Sequence, residues 1–416
     1  MRTISEITRA AGCALPILAL ACQGGTAHAQ SAGTPTSPRV EHMVLVDTID
    51  VASAKGLGTF DISYVDPTLG LYVLSDRTNA SVDFFNTRTD QFIRRVGGFA
   101  GVVNNPTTGA ADSNLSGPDG VTIVADREVW AGDGDSTVKV ISIAAGKVLD
   151  TISTGGKMRS DEMAWDKADH ILAVANDADT PPFVTLIDTD SHHILQKIYF
   201  DGTNGTPDAT LTGIEQTQWS PETGQFYVSV PQIVANDPTK GGVAVINPKT
   251  LAVTAVYPVS DCTPAGLALG PNHQALIGCS AAFGTSPNVV SQSLVINIET
   301  GAVVKAIPEV GGSDEVWFDP SSENYYLAAR GDTTSTGKVT PELGTVNALD
   351  NWFENAVSTS VSAHSVAADA VTRRVFVPIG FPAAGTSDPT NPCPTVTQGC
   401  IAVYQPYPGA ITSAQQ

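Results

Sequence analysis

A two-part phrase recurs along this chain at intervals of about 50 residues, and a chain patterned that way folds as a series of equivalent units. One part is a β-branched strand, a turn of the Asp/Asn-Thr kind, then a second short strand. It reads Val82-Asp83-Phe84-Phe85-Asn86-Thr87 running to Val96, Val138-Lys139-Val140-Ile141-Ser142 running to Ile152, and Val184-Thr185-Leu186-Ile187-Asp188-Thr189 running to Ile198. It returns as Val243-Ala244-Val245-Ile246-Asn247-Pro248 to Tyr257 and Leu294-Val295-Ile296-Asn297-Ile298-Glu299 to Ile307. A worn copy runs from Leu343-Gly344-Thr345-Val346-Asn347 to Val357, and a truncated one is Ile401-Ala402-Val403-Tyr404.

The other part precedes each copy: a short strand ends near Asp-Pro or Ser-Pro and turns into an apolar strand. Tyr64-Val65-Asp66-Pro67 leads to Leu71-Tyr72-Val73-Leu74, Trp219-Ser220-Pro221 to Phe226-Tyr227-Val228-Ser229, and Trp317-Phe318-Asp319-Pro320 to Tyr325-Tyr326-Leu327-Ala328. The unit is therefore four strands, a to d, which is the size of one β-propeller blade. Seven units fit, and the seventh runs out after three strands. The unused strand at the other end, Met43-Val44-Leu45-Val46-Asp47-Thr48-Ile49, supplies the missing outer one and removes an exposed sheet edge. The expectation is an all-β, seven-bladed propeller over residues 41–405, closed by its N-terminal strand, with a tail over 406–416.

The first segment reads as an address. Arg2 and Arg9 flank the start of an apolar run from Ala10 to Ala21, followed by Ala27-His28-Ala29, which suits signal-peptide cleavage after Ala29. A lipoprotein anchored through Cys22 is the alternative, although Ala19 stands where a large aliphatic residue is usual. Residues 30–40 read as a linker. Of the 6 cysteines, Cys262, Cys279, Cys393 and Cys400 remain after cleavage, an even set suited to an oxidising, periplasmic or secreted setting. Cys262 and Cys279 bracket a hairpin whose strand ends meet, and Cys393 and Cys400 bracket one short loop, so the expected pairs are 262–279 and 393–400.

The quoted runs resemble the YVTN-repeat, YncE-like propellers, a family of exported bacterial proteins. The resemblance covers the mature chain and implies a fold rather than a reaction, because propellers of this shape serve as lactonases, lyases, quinoprotein-like subunits and binding scaffolds.

Composition narrows the partners. With 22 Lys and Arg against 42 Asp and Glu, the net charge of -20 repels nucleic acid and anionic membrane surfaces. No later run is long and apolar enough to span a bilayer, and a monomer is expected. No Gly-rich phosphate loop marks a nucleotide site, and no Cys-x-x-Cys-His marks a haem. Gly132-Asp133-Gly134-Asp135 lacks the closing Glu of a calcium loop and reads as a tight turn. Trp130, Trp165, Trp219 and Trp317 read as core between blades.

Function is expected on one face. Aligning the units puts Phe60-Asp61, Asp119-Gly120, Asp161-Glu162, Glu215-Gln216, Ala265-Gly266, Asp314-Glu315 and His364-Ser365 at the start of strand a, at one end of the channel. The loops after strand b add Arg77, Asn176 with Asp177, and Arg330. Two carboxylates about 4 Å apart repel by about 4 kcal/mol at an effective dielectric of 20, so such a ring needs a cation, raised pKa values or inward-leaning arginines. Calcium or magnesium on Glu215, Asp314 and Asn176 is one solution. Asp61, Arg77, Asp119, Asp161, Glu315 and Arg330 are the candidate ligand-binding residues. Two function classes follow: an exported propeller whose acidic mouth binds a small ligand, cation or exported partner protein, or a metal-dependent lactonase-like hydrolase or lyase in which His364 or Glu162 moves a proton.

Overall fold

The computed structural model describes residues 42–279, 291–333 and 338–407. The expected signal peptide, linker and most of the tail lie outside them. Among the described residues the regular elements are 28 β-strands, organised as seven four-stranded antiparallel sheets. Strand a of the blades is, in order, Ser63–Asp66, Val121–Val124, Met163–Asp166, Thr217–Ser220, Pro264–Gly270, Val316–Asp319 and Ala367–Asp369. Six sheets run a-b-c-d in chain order. The seventh is completed by His42–Ile49, which pairs antiparallel with Cys400–Tyr407 from His42 opposite Tyr407 to Ile49 opposite Ile401. The ladder thus includes Pro406 and Tyr407, two residues that the sequence reading leaves in the tail.

The burial pattern explains the sequence pattern. Strands b and c face a neighbouring blade on each side, so they read as mainly apolar runs without alternation; Leu71–Asp76 and Ile171–Asn176 are buried at every position. Strand d lies at the rim and alternates, as Lys147–Ser153 does. The core is a set of layers between adjacent sheets: Val73 and Phe84 of blade 1 meet Val121 and Val129 of blade 2, and Tyr72 and Leu74 on the other face meet Phe376 and Val403 of blade 7. A bulge interrupts the c–d ladder of each of the first six blades, for example between Phe84 and Phe85, and adds twist where the outer strand bends over its neighbour.

Both expected disulfides are present, Cys262–Cys279 and Cys393–Cys400. The first follows from register, since Pro264 pairs with Cys279 across the a–b hairpin. Asp133-Gly134-Asp135 forms a turn in which the Asp133 carboxylate accepts from Gly134 N–H and pairs with Lys139. All four tryptophans pack in or against the layers between blades. Trp130 is fully buried on a b strand, and Trp165, Trp219 and Trp317 lie on a strands, half-buried, with one side on that core and the other beside the channel.

Removing each disulfide should cost stability according to the loop it closes. With sequence separations of 17 and 7, chain entropy predicts about 3 kcal/mol for Cys262→Ala/Cys279→Ala and about 2 kcal/mol for Cys393→Ala/Cys400→Ala. Denaturant unfolding of the two double variants checks the order; a larger loss for the shorter loop would contradict it.

Candidate functional site at the channel mouth

The start of strand a repeats one backbone pattern. Asp61 N–H donates to Ser75 O, Asp119 to Gly132, Asp161 to Ala175 and Glu215 to Ser229. The b strand answers: Ser75 donates to Ile62 O, Gly132 to Gly120, Ala175 to Glu162, Ser229 to Gln216 and Ala328 to Glu315. Each acid is therefore held at the same height in its blade, two residues before the inner strand begins. The shared register read from the sequence is real in space.

Asp61, Arg77, Asp161, Glu162, Glu215, Asp314, Arg330 and His364 line one cavity of about 280 Å³. Arg159, from the loop that leads into strand a of blade 3, lines it too. Arg77 pairs with both Asp61 and Asp119. Arg159 reaches Asp177 at 2.6 Å, Asp161 at 2.9 Å and Asp61 at 3.7 Å. Arg330 holds Asp314 at 2.6 Å. His364 stacks on Phe60, donates from Nδ1 to Ser362 O at 2.8 Å, and sets Nε2 3.3 Å from Asp61. A second cleft of about 470 Å³ adjoins across Arg159 and Glu215 and is lined by Asn114, Thr180, Thr210 and Thr212.

In three blades the residue after the strand-start position bonds to a neighbouring blade. An inner strand has no sheet partner on its channel side, so its N–H groups need another acceptor. Glu315 of blade 6 accepts from Val366 N–H of blade 7 at 3.1 Å, and Ser365 of blade 7 accepts from Ser63 N–H of blade 1 at 2.9 Å. Gln216 of blade 4 accepts from Leu267 N–H at 2.5 Å, then reaches past blade 5 to the N–H and C=O of Val316, each at 3.2 Å. Gly266 permits this crossing: a Cβ there would stand 2.7 Å from Val316 Cγ2. Gly120 is likewise required, since its Cβ would fall 2.1 Å from Asp161 O. Glu162 occupies the equivalent place in blade 3, is only 7% exposed, and makes no hydrogen bond or ion pair.

Burial sets the protonation. Burial alone would push the Asp61 carboxyl up, but Arg77, the His364 hydrogen bond and Arg159 together hold it well below the usual carboxylate range. Burial pushes Asp119 and Asp161 well up against the arginines beside them, and each keeps one oxygen without a partner. Glu162 is raised by burial and then by the charges of Glu315, Asp161, Glu215 and Asp61; Glu215 is raised by burial and by Asp314 and Asp177. Glu315 is raised by burial against its hydrogen bonds to Ser365 and Val366.

Three expected residues take other places. Asn176 does not face the cavity: its amide donates to Ser136, Thr154 and Ser160 hydroxyls and accepts from Thr185, a buried knot inside blade 3 and its contact with blade 2. Asp119 is fully buried under Arg77 rather than open to the mouth. Glu315 lines a chamber further down the channel. Among the described residues, no three of His, Cys, Asp and Glu stand together as a metal-holding group. The residue that sequence reading misses is Arg159, whose signal was weak because it lies in a loop outside the repeat.

No family model matches the chain, and no curated protein does. Many solved structures share the fold; one is hydrazine synthase from Kuenenia stuttgartiensis, at a TM-score of 0.60 and 13% identity, covering 77% of this chain and 92% of that one. The likeness establishes the seven-bladed β-propeller architecture.

Two outcomes are expected. Arg159→Ala leaves Asp161 and Asp177 buried without their cation and should cost about 3–5 kcal/mol of stability in denaturant unfolding, whereas a surface arginine such as Arg127 should cost less than about 1 kcal/mol. Carboxyls whose pKa is raised on folding contribute stability that is present below their unfolded value near 4 and lost as pH rises through the folded value. Asp76, pushed up to about 7 by burial and Asp83, acts in the same direction. The depressed Asp61 acts oppositely, but only below its unfolded value. Calorimetry should therefore show the melting temperature climbing as pH falls from 8 to 5, with a shallower climb in Glu162→Gln/Glu215→Gln.

Proposed function

We propose that this protein is an exported propeller whose acidic channel mouth binds a small cation, and that it belongs with the YVTN-repeat, YncE-like proteins its repeats resemble. One observation carries the binding reading: Glu162 and Glu215 face the cavity with no hydrogen-bonding partner, while the arginines around them are engaged by other carboxylates. Glu162 is buried and Glu215 half-buried, both carboxyls are pushed up by burial and neighbouring acids, and an entering positive charge favours their ionised form. The two disulfides support an oxidising compartment. Among the described residues, no helix is long and apolar enough to cross a membrane.

A divalent-metal-dependent lactonase-like hydrolase or lyase is the second reading, favoured by the proximity of Asp314 to Glu215. It ranks lower because the Asn176 amide is engaged inside its blade.

Titration calorimetry with calcium, magnesium and methylammonium separates the readings. Binding of at least one is expected, tighter at pH 8 than at pH 6 because the glutamates must release protons, and lost in Glu162→Gln/Glu215→Gln. Calcium or magnesium binding lost in Glu215→Gln/Asp314→Asn, together with lactone turnover, would favour the enzyme. A protein that binds none of the three cations would overturn the proposal.

A further inference from the structure

The channel below the mouth changes character. Ile62 and Glu162 line both the mouth cavity and a chamber of about 180 Å³ beneath it, where Leu269, Trp317 and Phe318 stand beside Gln216, Gln218 and Glu315. Tyr64, Met163 and Gln218 are common to that chamber and to a third of about 150 Å³, which adds Trp165 and Trp219. The three spaces follow the inner strands in order, and aromatic rings join the polar lining below the mouth. Glu162 stands where the charged space meets the aromatic-walled one, and it is the ring position whose carboxyl makes no inter-blade bond.

We propose that the ligand of this site is a primary organic amine, its ammonium group at Glu162 and Glu215 and its apolar body in the chamber below. The inference rests on the cation-binding reading of the mouth and adds the class of cation. A primary ammonium carries three N–H donors, which suit carboxyl oxygens that lack partners. A bare metal ion would account for the carboxylates but not for the aromatic-walled space that continues from them, whereas an alkyl or aryl chain gains by leaving water against Trp317 and Phe318. From Glu162 to Trp165 the inner strand extends about 10 Å, which accommodates a chain of about six carbons.

Titration calorimetry of the purified protein with methyl-, propyl-, butyl- and hexylammonium tests this, with hexanol as the uncharged control. Affinity should rise about fourfold per added methylene until the chamber is filled, and hexanol should not bind. Glu162→Gln should weaken every amine at least tenfold. Gln218→Phe narrows the chamber from a half-buried position and should abolish the length dependence while methylammonium still binds. Equal affinity along the series, or a length dependence that survives Gln218→Phe, would overturn the amine assignment. Calcium or magnesium binding without any amine binding would overturn it and leave the cation reading standing. Failure of every cation would remove both.

Discussion

Seven inner strand edges converge on the axis of this propeller, and each presents backbone N–H groups with no neighbouring strand to receive them. That constraint organises the molecule. The outer edge of the last sheet is covered by His42–Ile49, which makes the ring continuous, but the inner edges can never be paired strand to strand. On Ser63, Leu267, Val316 and Val366 these groups are satisfied by side chains reaching sideways from Ser365, Gln216 and Glu315. The residues after the strand-start acids are thus as much part of the fold as the apolar layers between blades, and polar character at this register has a structural cause as well as a functional one.

Electrostatics at the mouth follow from the same geometry. Five of the seven blades bring carboxyls from distant parts of the chain to one height, where burial and mutual repulsion work against ionisation. Arg77 and Arg159 answer part of this, each held among several acids, and the division is unequal: Asp61 is kept charged while Asp119 is pushed up although both touch Arg77. What remains after the arginines and the ring-closing bonds are counted is Glu162 and Glu215. Their condition, rather than the abundance of acids, distinguishes a binding site from a charged scaffold.

Much of this was legible in the residue order. The recurrence of runs such as Val184-Thr185-Leu186-Ile187 sets the blade period because b and c strands are buried on both faces and leave a mainly apolar trace without alternation. The pairing of Cys262 with Cys279 follows from hairpin register, a local property. The common height of Asp61, Asp119, Asp161 and Glu215 was also readable, since it needs only the alignment of repeats.

Side-chain direction and loop path were not. Asn176 aligns with mouth residues, yet it turns into a knot of hydroxyls, because its neighbours come from Ser136, Thr154 and Ser160 in other turns. Arg159 sits outside the repeat and is aimed by bonds of its loop to Asn114 O and Asp133 O, contacts with no trace in local sequence. Gln216 can serve two blades at once because Gly266 lacks a Cβ, a relation between residues 50 positions apart. Strand period, closure and disulfide pairing depend on near neighbours and on a repeated hydrophobic pattern, so the sequence by itself determined them. Which acids are neutralised, which close the ring and which are left facing the cavity depends on side chains meeting across blades, and only the tertiary structure decided it.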